Sequence, residues 1–520
     1  MSSIGVCRLG IATPKSACSR ETASQNIVDQ MTQRTKTLAA CLVLGCVGLL
    51  LPLPEGLSEE ARRTAVIGAV MAAFWMTEVL PLAVSALIPV IAFPLAGIAP
   101  MNDVNRAYAH PLIFLFLGGF ILASAMQRWG LHLRLSQVAI RLAGPRHDHQ
   151  VLAIMIATAF LSMWISNTAT AMVMMPIGLS MLALPGDRGR GSKVLVANDQ
   201  SASEADGTKG PYGSALMLGI AFSATIGGMG TLIGTPPNAL FAGFIERTYG
   251  MSIGFGQWML MGVPIVLVLL PIAWLLLTRI AFPLPSVVED AVPKQVVWAP
   301  LSRAQKIVAI VLLLTVLAWL LRPLADASLG QSGLTDAGIG LIGAITLFLL
   351  PASFSDNEPL LTWDDVKELR WDVLILFGGG LALANGIAKT GLADWIGSGA
   401  NQLAELPIHA LILIMMVAIV YLGELASNTA VAAVFLPLAG AVAVGLGIAP
   451  ITLLLPVALA ASLGFMLPVA TPPNAIVYGS GAVTSGQMLK AGAVLDVVSI
   501  VIVFVFSVLL GPVVFDMRGG

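Results

Sequence analysis

Long apolar runs separated by short polar segments dominate the chain. Ile265–Leu277, Ile307–Leu321 and Val497–Leu510 are almost continuously apolar. With their flanks they approach the roughly 20 residues that a bilayer-spanning helix needs. Read from end to end, the pattern predicts spans at 37–54, 63–80, 82–98, 111–127, 213–245, 257–280, 306–322, 336–352, 371–388, 451–483 and 490–511. Two further apolar stretches, 150–184 and 407–447, are each long enough for two half-spans. Each carries the same polar triplet at its middle, in "WISNTATAMVMMP" (Trp164–Pro176) and "ELASNTAVAAVFLP" (Glu424–Pro437). These stretches are expected to be re-entrant helical hairpins with Ser-Asn-Thr at the tips.

Composition agrees with the pattern. Of 520 residues, 57% are hydrophobic and only 11% charged, with a mean hydropathy of +0.90; soluble domains carry about 25% charged residues. The chain therefore reads as an all-α polytopic membrane protein with the lipid bilayer as its surroundings. Its 31 prolines and 52 glycines suit membrane helices, in which both are enriched. A net charge of −1 gives no reason to expect nucleic acid as a partner. Cys7, Cys18, Cys41 and Cys46 have neither a CxxC nor a zinc-ligand spacing. Residues 1–36 read as a cytoplasmic N-terminal tail. With that end inside, only Arg62, Arg63, Arg106, Arg247, Arg322, Lys389 and Arg518 among all Lys and Arg fall outside. The positive-inside rule thus supports eleven spans in the inner (plasma) membrane, with the C-terminus outside.

The repeat is larger than the triplet. "FLFLGGFILASAMQRWGL" (Phe114–Leu131) resembles "LILFGGGLALANGIAKTGL" (Leu374–Leu392), and "GTPPNAL" (Gly234–Leu240) matches "ATPPNAI" (Ala470–Ile476). Each half has the order Gly-Gly helix, Ser-Asn-Thr hairpin, Thr-Pro-Pro-Asn break. In the predicted topology the two hairpins enter from opposite sides, so the halves are inverted repeats. Interrupted helices in inverted repeats are the pattern of secondary transporters, with binding at the midplane. The expected organisation is scaffold helices at 37–110 and 257–370 and repeat elements at 111–256 and 371–489. The first repeat holds hairpin 150–184 and broken helix 213–245, and the second holds hairpin 407–447 and broken helix 451–483. A last helix and outer C-terminus follow at 490–520.

Polar groups at membrane depth narrow the chemistry. Non-helical backbone survives there only where protein buries it or water reaches it. Pro236-Pro237 and Pro472-Pro473 remove N–H donors and interrupt the helix. The freed carbonyls can hold a small hard cation, and the half-helix N-termini after each break can hold an anion. Ser166, Thr168, Ser427, Thr429, Asn167 and Asn428 add neutral donors and acceptors. Two such clusters would suit a ligand anionic at both ends. "GGMGTLIG" (Gly227–Gly234) lacks the spacing of a nucleotide loop and is read as close helix packing. Glu78, Glu424 and Asp496 are ionisable groups in apolar surroundings, which makes them functional candidates; pairing beside helix ends is expected for Glu78 and Asp496. The chain has no HExxH or GxSxG motif, and its five histidines lie in loops or near predicted span ends. An intramembrane enzyme is not expected.

On these residues, and on "WMTEVLPLAVSALIPV" at 75–90, the chain resembles the divalent anion/sodium symporters (DASS, the INDY-type di- and tricarboxylate carriers) from about residue 37 to 512. The resemblance implies a homodimer with a scaffold and an elevator-like transport domain. It implies substrate contacts at Asn167, Thr168, Asn428, Thr429 and Thr471, to which Thr235 and Pro472 at the breaks are added. It places one Na+ site at Ser162, Ser166, Asn167 and Gly234 and a second at Ala426, Asn428 and Ala470. Gly423 belongs to the second site by position, where the family commonly has threonine, so the second site departs from the pattern. Triplets that both end in threonine resemble the dicarboxylate members more than the sulfate members. The implied activity is Na+-coupled uptake of C4 dicarboxylates such as succinate, malate or fumarate, with dicarboxylate exchange or proton coupling as the alternative.

Overall fold

The computed structural model describes residues 34–182, 210–284, 300–329, 333–353, 358–399 and 405–515. Among them there is no strand, and one isolated bridge pairs Pro351 with Pro359. Helix α1 covers 34–50. It is followed by α2 (Glu59–Thr77), α3 (Leu82–Ser85), α4 (Ile88–Leu95) and α5 (Met101–Asn105). The first half continues with α6 (Pro111–Arg128), α7 (Leu131–Ala143), α8 (His147–Ser162), α9 (Asn167–Leu182), α10 (Pro211–Gly228), α11 (Pro236–Tyr249) and α12 (Phe255–Leu275). Two connecting helices, α13 (Arg303–Leu329) and α14 (Asp336–Leu349), lead to the second half. There α15 (Trp371–Lys389), α16 (Leu392–Gly399), α17 (Ile408–Gly423), α18 (Asn428–Gly445), α19 (Ile451–Ala460), α20 (Pro472–Gly479), α21 (Ser485–Leu509) and α22 (Gly511–Val514) complete the chain.

This is an all-helical polytopic membrane protein. Among the described residues, six stretches are long and apolar enough to cross a membrane: 101–128, 255–281, 303–328, 371–389, 428–445 and 485–509. Other expected spans are shorter or interrupted. The predicted span 82–98 is α3 and α4, because Pro81 starts one helix and Pro89 the next, and Gly97 at φ 73° ends the second. Upstream, α2 is capped by Ser58, whose Oγ accepts the Ala61 N–H at 3.1 Å, a contact worth about 1 kcal/mol. It stops where Glu78 turns left-handed at φ 49°.

Both expected hairpins are helix–turn–helix units. α8 and α9 are joined by residues 163–166, and α17 and α18 by 424–427. α8, α9 and α17 have 16 residues each, about 24 Å long and short of the ~30 Å hydrocarbon core. The repeat also extends to elements that the apolar pattern does not reveal. α7 and α16 begin at Leu131 and Leu392, α8 and α17 at His147 and Ile408, and α9 and α18 at Asn167 and Asn428. Each pair has the same separation as the two triplets. α7 and α16 lie in segments read from sequence only as connections between spans.

Both expected broken helices are interrupted at the predicted place. α10 and α11 are separated by 229–235, and α19 and α20 by 461–471. The halves interlock at these breaks: α20 packs on α9 and α10, whereas α11 packs on α18 and α19. Around them, α2–α5 pack on α15, and α14 packs along α6.

Candidate functional site

The four motifs each start a helix, and the starts are built alike. Asn167 and Asn428 open α9 and α18, while the two Pro-Pro pairs occupy the first turns of α11 and α20. Proline is well tolerated there because its missing N–H has no intrahelical partner. Thr235 and Thr471, both extended, precede them, and Thr471 Oγ1 accepts the Asn474 N–H at 3.4 Å. Asn238 Nδ2 donates to Gly228 O (3.1 Å) and Thr231 O (2.8 Å), and Asn474 Nδ2 donates to Gly464 O (3.3 Å) and Leu467 O (3.0 Å). The asparagine of each Thr-Pro-Pro-Asn motif thus pins the loop before it. These braces are absent from the sequence-derived site, although the repeated motif already contained both residues.

At the first hairpin tip, four oxygens converge. Ser162 is fully buried at the end of α8, and its hydroxyl donates to Ala224 O at 2.6 Å. Asn167 Oδ1 lies 2.7 Å from Ser162 Oγ, 3.1 Å from Ala224 O and 3.2 Å from Gly234 O. Three oxygens facing one end of a carboxamide call for its nitrogen at that end. Turned over, the same amide donates its Nδ2 hydrogens to all three. With nitrogen inward the amide ties the hairpin tip to α10 and to the loop before α11. Of the expected ligands, Ser162, Asn167 and Gly234 come together. Ser166 instead caps α9, its Oγ accepting the Ala169 N–H at 3.4 Å. The Ala224 carbonyl was not foreseen, since a backbone group leaves no mark on residue type.

Glycines make this cluster possible. A Cβ on Gly228 would overlap Asn167 Oδ1, one on Gly227 the backbone of Ala159, and one on Gly234 the carbonyl of Gly228. The close packing expected of "GGMGTLIG" is present, and it builds the cluster as well.

The second tip is similar but less complete. Asn428 Oδ1 is buried without a hydrogen-bond partner. Gly423 and Gly464 both approach it, since a Cβ on either would lie 3.4 Å and 3.7 Å away respectively. Ala470 is buried on the same loop, 3.5 Å from that Gly464 position, and Ala426 is buried at the tip. Gly423 occupies the place of Ser162 and supplies no hydroxyl. Thr168 and Thr429 stand half-buried in the first turns of α9 and α18, and Pro472 is exposed at the start of α20. The two regions meet where Phe222 of α10 and Phe465 of the second loop stack edge to face at 5.2 Å. Among the described residues no cluster of His, Cys, Asp and Glu has the makings of a transition-metal centre.

The space at Gly423 allows a direct check. Gly423→Ser should restore the missing oxygen without overlap and tighten apparent sodium affinity roughly three- to tenfold, the worth of one neutral polar contact. The sodium dependence of thermal stability measures this. A dependence equal to the parent's would show that Asn428 Oδ1 faces no sodium ion.

Such neutral oxygen clusters at broken, membrane-buried helices define a secondary-transporter type of site. Comparison with known proteins agrees. The sequence profile of the "Sodium:sulfate symporter transmembrane region" matches residues 32–517. The sodium-dependent dicarboxylate transporter SdcS of Staphylococcus saprophyticus is 37% identical over 472 residues, covering 89% of each chain. Its namesake in Staphylococcus aureus strain RF122 is 37% identical over 484 residues, covering 91% of each. The YdaH transporter of Alcanivorax borkumensis, solved by crystallography, shares the fold with a TM-score of 0.55 at 16% identity over 78% of this chain and 87% of that one. The chain belongs to the sodium:sulfate symporter family, a family of membrane transporters and not of enzymes.

Proposed function

We propose that the protein is a sodium-coupled importer of C4 dicarboxylates working by an elevator motion. The observation that carries this reading is the Asn167 amide, set among Ser162 Oγ and the Ala224 and Gly234 carbonyls. Hard oxygens in an all-neutral shell suit sodium, and the adjoining N-termini of α9, α18, α11 and α20 suit carboxylates. Sodium entry turns the Asn167 amide and fixes the hairpin tip. That order prepares Thr168 and the first-turn N–H groups for one carboxylate, while Asn428, Thr429, Thr471 and Pro472 frame the other and Thr235 flanks the first. The names of the relatives at 37% identity and the threonine closing both triplets favour a dicarboxylate over sulfate.

On this reading the hairpins enter from opposite faces as inverted repeats. α6–α11 and α15–α20 carry the site, and α1–α5 with α12–α14 form the scaffold. Two copies assemble in the plasma membrane with N-termini in the cytoplasm and C-termini outside. Neutral donors paired at two ends favour the dianion. Purified protein in liposomes should therefore accumulate labelled succinate under an inward sodium gradient, and uptake should fall as pH drops through the second succinate ionisation. Equal uptake with potassium in place of sodium, or efficient uptake of monocarboxylates, would overturn the proposal.

A further inference from the structure

The two halves differ at one pair of positions beside the cation clusters. Gly262 of α12 lies against the Met229 carbonyl and Gly230, and Gly492 of α21 lies in the same way against the Phe465 carbonyl and Met466. Four residues after each glycine stand Val266 and Asp496, one turn on along the same face. At the hairpins, Met163 and Glu424 hold equivalent places, each directly after Ser162 or Gly423. In the first half Met163 covers Gly230, 3.0 Å from where its Cβ would be, and Val266 is buried. The second half replaces this apolar pair with two carboxyls.

Glu424 is 3% exposed, and its two oxygens accept the Met466 N–H at 2.9 Å and the Leu467 N–H at 2.8 Å. Asp496 is 0% exposed, faces Glu424 and the Phe465 N–H, and neither of its oxygens has a well-formed hydrogen bond. It lies in the middle of α21, not beside a helix end as the sequence suggested. Ser499, one turn further, is also fully buried with its hydroxyl unpartnered.

Among the described residues no basic side chain is recorded against the pair. Of the elements packed on α21, α12, α19 and α22 carry no ionisable side chain. On α17, His409 lies against Phe504 and Tyr421 is exposed. Arg279, in the π-helical turn that ends α12, is engaged by Asp148. Lys490 of α21 is exposed. Two adjoining buried carboxyls cannot both stay ionised without a cation between or beside them.

We infer that Glu424 and Asp496 form a binding site for a sodium-sized cation. The site adjoins Asn428 and differs from the all-neutral cluster of the first half. Where the first half has the Ser162 hydroxyl, the second has Gly423 and makes up for the lost oxygen with charge. Asp496 contributes the two unpartnered oxygens, and Glu424 holds the 464–467 loop in place through its N–H contacts while presenting its remaining lone pairs. The inference rests on the sodium-coupled reading, but it concerns the cation alone and needs no particular anion.

The test is binding of radioactive sodium to the full-length protein in detergent, without any anion, together with sodium-dependent thermal stability. The parent should bind two ions per chain. Asp496→Asn, nearly isosteric, should lose one or bind it about tenfold more weakly. Glu424→Gln should do the same, and Asp496→Val, which copies the first half, should lose that ion while remaining folded. Parent-like sodium binding in both Asp496 variants would overturn the inference. So would a carboxylic-acid stretch in the infrared spectrum that persists at saturating sodium and vanishes in Asp496→Asn, because a proton would then occupy the pair. Failure of succinate uptake by a chain that binds two sodium ions would count against the transport reading and leave this one standing.

Discussion

Replacing Asn167 by alanine is expected to abolish sodium-driven uptake in a protein that still folds. Ser162, Ala224 and Gly234 each place an oxygen within 3.2 Å of the Asn167 amide, and alanine removes the group that closes the shell. A contact to a charged species is worth about 1.5–3 kcal/mol, so sodium binding at this cluster should weaken about ten- to a hundredfold. On the proposed reading anion binding depends on the same tip, since Asn167 begins the helix whose N-terminus would hold one carboxylate. Uptake should therefore fall by about a hundredfold or more. Folding should survive, because Asn167 is only half-buried and the turn before it retains the Ser162–Ala224 contact and the Thr231 Oγ1 bond to Met163 O at 2.5 Å. Liposome uptake beside a thermal melt separates the two. Uptake at half the parent rate would sink the four-oxygen cluster as the coupling site.

The parts of this site that were legible in the sequence are those written in side chains and repeated. Ser-Asn-Thr and Thr-Pro-Pro-Asn stand out because polar residues and paired prolines are costly inside a membrane. Their duplication in one order located both hairpin tips and both helix breaks. Contributions from the backbone were not legible. The Ala224 carbonyl joins the cluster through its position on α10, and alanine there looks like any other buried alanine. The short helices were missed for a different reason. α3, α4, α7 and α16 are set by local punctuation, such as Pro81, Pro89, Gly130 and Gly391, whereas the apolar pattern reports only runs long enough to span. Asp496 was recognised as an unusual buried acid, but its neighbours come from α17 and the loop before α20, contacts that no local reading of α21 supplies. Glu424 was recognised as an ionisable group in apolar surroundings, but its bonds to Met466 and Leu467, which tie its hairpin to the broken helix, leave no mark in the local sequence.

Adjacent glycines on α10 should give opposite failures when changed to alanine. At Gly227 the added methyl would overlap the backbone of Ala159 on α8. Neither helix can yield there, because α10 is buried from Gly213 to its end and α8 along most of its length. Forced overpacking of this kind costs about 1–3 kcal/mol or more, so Gly227→Ala should melt several degrees lower and be recovered in poor yield, with or without sodium. At Gly228 the obstacle is the Asn167 side chain, which can rotate away. Gly228→Ala should fold nearly as well as the parent yet lose its sodium-dependent stabilisation, because the displaced amide can no longer complete the shell with Ser162, Ala224 and Gly234. Thermal melts of both variants across a sodium titration read the two effects independently. A Gly228→Ala protein that keeps the parent's sodium response would mean that the ion is held somewhere other than Asn167. A Gly227→Ala protein as stable as the parent would mean that α8 and α10 can separate, and the rigid hairpin base on which the site depends would be lost with it.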